Sequence, residues 1–114
     1  MTPPELTGLL AKQVMRWTVA PDRYLMENRR WIPAWRFQPM KRLEDAFRLL
    51  DAADTEEYSI TARRDSALTV RVQIGGIVGE ASDSCKARAI THAVARAIGL
   101  EPESRQRPKN GKPR

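Results

Sequence analysis

The run Leu68-Thr69-Val70-Arg71-Val72-Gln73-Ile74, followed by Gly75-Gly76 and then Ile77-Val78-Gly79-Glu80-Ala81, decides the fold class. Leu68, Val70, Val72 and Ile74 alternate with Thr69, Arg71 and Gln73. That period of two is the signature of a strand with one dry and one wet face. Paired glycines supply the positive φ of a tight hairpin turn, so Ile77–Ala81 is expected to return as an antiparallel strand. The same glycines could be imagined as a phosphate cradle, but the lysine and spacing of a P-loop are missing.

Upstream, Tyr58–Arg63 is expected to pair with Leu68–Ile74 across the turn Arg64–Ala67. Downstream, Ser82-Asp83-Ser84 offers an N-cap for a helix that runs to about Ile98 and stops at Gly99, with Pro102 beyond. Its apolar stripe is Ile90, Ala93, Val94 and Ala97, small side chains that allow close approach to a sheet.

The N-terminal half repeats the alternation of helix and strand. Thr2-Pro3-Pro4-Glu5 has the form of a capping box and opens a helix to about Trp17, with Leu6, Leu9, Leu10, Val14 and Trp17 at helical spacing. Pro21-Asp22 breaks the chain, and Tyr24–Met26 with Trp31–Phe37 reads as a hairpin around Glu27–Arg30. Pro33 limits its second arm to a sheet edge. A second helix is expected from Pro39 to about Ala53, with Leu43, Ala46, Phe47 and Leu50 inward and Lys41, Asp45 and Arg48 outward. Lys41 and Asp45 are spaced to pair across one turn. The order is α-β-β-α-β-β-α, an α+β chain arranged as a three-layer α/β/α sandwich on a mainly antiparallel sheet.

The chain has 114 residues and a formal charge of +6, and the charge is unevenly placed. Residues 104–114 hold five basic side chains and no acid, so residues 1–103 are nearly balanced, with 15 basic against 14 acidic. The expectation is one domain over 1–103 and a basic disordered tail over 104–114, which lacks the apolar residues needed to offset its ordering entropy. One cysteine, Cys85, excludes an internal disulfide framework and fits a reducing compartment. The start has no signal-peptide pattern, and no apolar run reaches the roughly 20 residues of a membrane helix. A cytoplasmic location without membrane association is expected.

Three local patterns resemble a family of small bacteriophage proteins, the phage ABA sandwich domain: Val14-Met15-Arg16-Trp17, then Phe37-Gln38-Pro39 with Asp45-Ala46-Phe47, then a strand pair before the alanine-rich Arg88–Ala97. The resemblance covers roughly residues 5–100. It implies a sheet between helical layers, a phage or prophage origin, and action in the cytoplasm of an infected bacterium. The family has no shared catalytic motif, so it assigns no functional residue.

Little in the composition supports catalysis. The one histidine and one cysteine, His92 and Cys85, are placed on different parts of the last helix. His92 lies between Arg88 and Arg96 at i, i+4 spacing, a basic row that is either a solvated face or a secondary anion-binding edge. The cluster Asp51, Asp54, Glu56 and Glu57 lacks the ligand spacing of a calcium loop. Neither a metal nor a cofactor is expected.

Residues 12–48 are the informative region, with nine basic side chains against four acidic and six of the seven aromatics. Residues 49–103 carry six basic against nine acidic. Indole faces beside guanidinium forks suit a phosphorylated, base-containing ligand, because rings stack on a base and arginine pairs bidentately with phosphate. The plain alternative is that the rings close the core while the arginines reach into water. The candidate ligand residues are Tyr24, Arg29, Arg30, Trp31, Trp35 and Arg36. The expected function is non-enzymatic binding of a small nucleotide-like anion, such as a host defence signal, in a pocket that could sit at an interface of a homo-oligomer. The alternatives are nucleic-acid binding through the tail and docking of a host protein on the aromatic hairpin.

Overall fold

The computed structural model describes residues 2–62 and 67–100. Within them the chain forms α1 (Pro3–Gln13), β1 (Thr18–Val19), β2 (Arg23–Leu25), β3 (Trp31–Pro33), a short 3-10 turn (Ala34–Arg36), α2 (Leu43–Ala52), β4 (Glu57–Ala62), β5 (Leu68–Ile74), β6 (Ile77–Asp83) and α3 (Lys86–Ala97). The α+β class and the antiparallel pairing are as expected. The first strand group has three strands where the sequence predicts a two-stranded hairpin, and the second has the three strands predicted individually, one more than the order α-β-β-α-β-β-α counts. They form two sheets, β1-β2-β3 and β4-β5-β6, where the resemblance implied one sheet between helical layers.

The second sheet follows the period-two pattern. Val70 and Val72 are buried, Arg71 points out, and α3 packs on β5 and β6. Gly75 and Gly76 have φ of 58° and 80°, and Ile74 pairs with Ile77 across them, so the glycines make a hairpin turn and no phosphate cradle. The third glycine, Gly79, has a different purpose. A Cβ there would strike the Ala93 carbonyl oxygen and lie 2.5 Å from the Ala97 nitrogen. Alanines on α3 and a bare position on β6 together let helix backbone rest directly on strand backbone.

Several boundaries differ from the sequence reading; the hairpin's second arm, for one, is a strand only over Trp31–Pro33 and not to Phe37. Helix α1 keeps its capping box, with the Glu5 amide donating to Thr2 Oγ1 at 3.3 Å and the Thr2 amide donating to Glu5 Oε1 at 2.9 Å. It ends at Gln13 instead of Trp17, because Arg16 takes left-handed φ of 61° and the Trp17 amide turns back to the Ala11 carbonyl at 2.9 Å. Helix α2 begins at Leu43 instead of Pro39, since the Gln38 carbonyl accepts from both Lys41 and Arg42 in a separate turn. Asp45 is therefore not an outward partner of Lys41; it is buried, and its Oδ2 accepts from the Gln38 amide at 3.0 Å. Leu43 is exposed and Leu49 takes its place inside. Strand β6 runs on through Asp83, whose Oδ1 accepts from the Cys85 amide at 2.9 Å, and α3 starts only at Lys86.

The core is one continuous cluster from Leu6 on α1 to Ala97 on α3. Under the first sheet it is aromatic: Trp17 and Phe37 meet edge to face at 5.0 Å, and Tyr24 meets Phe37 at 6.1 Å. The buried Thr91 hydroxyl lies 2.8 Å from the Pro39 carbonyl and 2.9 Å from that of Ala87, tying α3 to the Gln38–Arg42 turn. The expected basic tail, and the turn residues Arg63–Ser66, lie outside the described residues.

Candidate functional site

The Gln38–Arg42 turn and the 3-10 turn at Ala34–Arg36 set the surface beside the first sheet, which is divided into two clefts. The larger groove, about 1050 Å³, lies between α1, β1 and the 3-10 turn, with Gly8, Lys12, Val19, Trp35 and Lys41 among its walls. The smaller, about 500 Å³, is walled by Arg30, Trp31 and Arg36 on one side and by Arg42, Glu44, Asp45 and Arg48 of the α2 start on the other. The expected single pocket is thus split. Trp31 and Trp35 serve different clefts, because the 3-10 turn after Pro33 swings Trp35 away from the β3 strand direction.

Each candidate residue has a definite place. Trp31 is 47% and Trp35 63% exposed, so neither ring is sealed in the core. Arg30 and Arg36 join Trp31 at the smaller cleft, while Arg29 lines neither cleft. Arg29 instead occupies the hairpin tip at φ 66°, a position that favours glycine, with its amide donating to the Met26 carbonyl at 2.9 Å. Tyr24 does not join the Trp31 cleft and only edges the larger groove. It is 5% exposed and packed on Trp17 and Phe37, because β2 turns it to the face opposite Arg23 and Trp31. Burial pushes its hydroxyl pKa up.

Four residues of the smaller cleft, Arg42, Glu44, Asp45 and Arg48, were not singled out from sequence. Only Arg48's i, i+3 relation to Asp45 was available as a local signal. Its guanidinium lies 3.9 Å from Asp45 and 5.9 Å from the centre of the Trp17 ring. Arg30, Arg36 and Arg42 have no ion-pair partner among the described residues. Four arginines against two carboxylates leave the cleft a net +2. Arg23 stacks 4.5 Å from the Trp31 ring centre and is not among the cleft walls. Arg36 also lies over the Trp35 ring, 6.0 Å from its centre. A wet indole beside guanidinium groups that hold no carboxylate can stack a planar group and pair with two negative charges at once.

The second candidate, the Arg88–His92–Arg96 row, is committed to the fold. Arg88 pairs with Asp83 at 3.6 Å, and Arg96 donates to the Glu80 carbonyl at 2.7 Å, so both arginines tie α3 to β6. His92 is half-buried between them and has a partner of its own. Cys85 Sγ is 3.6 Å from the Met40 carbonyl. Among the described residues no three histidine, cysteine or carboxylate side chains group as metal ligands, and no helix is long and apolar enough to cross a membrane.

No known family and no curated protein matches the chain. Among solved structures, it is similar to a phage protein from Bacillus cereus ATCC 14579, at 16% identity and a TM-score of 0.70, over 89% of this chain and 91% of that one. At that identity the likeness is one of fold.

Proposed function

We propose that this chain is a phage-encoded, non-catalytic protein that binds a small, base-bearing anion in the cleft of Trp31, Arg30, Arg36, Arg42 and Arg48. The observation that carries the reading is one half-exposed indole, with Arg23 over its ring, sharing a cleft with three arginines that have no ion-pair partner among the described residues. A volume of about 500 Å³ suits a nucleotide-sized ligand. The fold likeness to a phage protein and the resemblance of the sequence to phage ABA sandwich proteins give this reading its setting. In the cytoplasm of an infected bacterium, such a site would hold a nucleotide-derived defence signal out of circulation.

The test is thermal unfolding with cyclic dinucleotides, ADP-ribose derivatives and inorganic phosphate. A ligand at a hundred times its Kd stabilises the fold by about 2.7 kcal/mol and raises Tm by several degrees. Trp31→Ala and Arg36→Ala/Arg42→Ala abolish that shift, whereas Arg29→Ala keeps it. No shift with any compound, or a shift insensitive to Trp31, refutes the reading. The rival is docking of a host protein in the larger groove, favoured by the 63% exposure of Trp35. Trp35→Ala would then abolish capture of that protein and leave nucleotide binding intact.

A further inference from the structure

The two sheets present four outer edges, and they are not equally protected. Strand β1 is two residues long and β3 three, with Pro33 at its end. Such edges are too short, or too poor in donors, to template another strand. Strand β6 is long enough, but Arg96 of α3 occupies its Glu80 carbonyl at 2.7 Å. Glu80 also stands at the middle of Ile77–Asp83, so the two-fold pairing of β6 with itself that overlaps the whole strand sets two carboxylates opposite each other.

Strand β4 has none of these devices. It is the other edge of the β4-β5-β6 sheet, and its run Tyr58-Ser59-Ile60-Thr61-Ala62 has no charge, no proline and no glycine. Tyrosine, isoleucine and threonine are strong strand formers. Among the described residues no side chain bonds its backbone, and Tyr58 is 50% exposed beside it. Glu57 is the one charged residue of the strand, and antiparallel self-pairing about Ile60 sets its two copies at opposite ends of the shared edge.

We infer that β4 is a homodimer edge, pairing antiparallel with β4 of a second copy about a two-fold axis near Ile60 to make one continuous six-stranded sheet. In this register Tyr58 of one copy lies over Ala62 of the other, large against small, on the face that carries the helices. Ser59 meets Thr61 on the polar face, and no like charges oppose each other. The two-fold closes the assembly, because each copy spends its one open edge.

Sedimentation equilibrium on the full chain in the micromolar range tests this. The expected mass is twice 13.0 kDa. Ser59→Lys/Thr61→Lys places exposed lysines opposite one another and halves the mass, with circular dichroism unchanged. Ser82→Lys, on the β6 edge of the same face, leaves the dimer intact. A wild-type monomer, an open-ended series of species, or a dimer that survives the double lysine variant overturns the assignment. The nucleotide titration is independent of this result, since no β4 residue lines the Trp31 cleft.

Discussion

Tyr24, Trp31 and Trp35 are all large aromatics, and the fates of the first two are decided by which side of a three-residue strand each occupies, that of Trp35 by the 3-10 turn after Pro33. Register places Tyr24 opposite Val19 and Ile32, toward the core, and Trp31 opposite Leu25 on the other face. The hydroxyl of Tyr24 goes into the core with its ring, and burial favours its neutral form. Its folded pKa is raised, so the stabilisation is fully present below the ordinary value of 10.0 and is lost as pH rises through the folded value. Unfolding by urea at increasing alkaline pH should show a fall in stability that Tyr24→Phe removes. An identical alkaline fall in both proteins would exclude Tyr24 as its source. The same scale accounts for what was readable at the candidate site. Arg30, Trp31 and Arg36 are neighbours in sequence, so local composition pointed to them. Arg42 and Arg48 arrive from α2, and no local pattern joins them to the hairpin.

Among the elements, α3 and its strand were the most legible, because both sides of their contact are written in side-chain size. Alanines on the helix and Gly79 on β6 bring the backbones together. Gly79→Ala should cost at least about 3 kcal/mol, since the clash is with backbone that cannot rotate away. Gly8 in α1 is the contrast. Its nearest neighbour to an added methyl is Val19 Cγ1 at 3.9 Å, an ordinary contact. Gly8→Ala should raise stability by about 1 kcal/mol, or roughly 4 °C in Tm or more, from helix propensity alone. Calorimetry on the two variants reads both signs. The helix ends were less legible. Arg16 and Asp54 hold left-handed φ of 61° and 55° at the ends of α1 and α2, where a glycine would have announced the stop. At the α2 start, Pro39 resembled a first-turn proline, yet Asp45 turns inward to the Gln38 amide and delays the helix to Leu43.

For the molecule as a whole, two sheets do not mean two units. The buried cluster joins Leu10 of α1, Phe37 after the first sheet, Leu49 of α2 and Ile90 of α3 without a break. Thr91 ties α3 to the Gln38–Arg42 turn across that core. Heat should therefore unfold the chain in one step, with calorimetric and van't Hoff enthalpies equal; two resolved transitions would contradict a shared core. Local periodicity was enough to determine the α+β class, the β5–β6 hairpin and the faces of its strands, because those features depend on neighbours within a few residues. Only tertiary packing decided that the strands form two sheets, that Trp31 and Trp35 serve separate clefts, and which arginines stand together. Those outcomes depend on where a short turn sends the chain and which distant surface it meets, and side-chain periodicity carries no record of either.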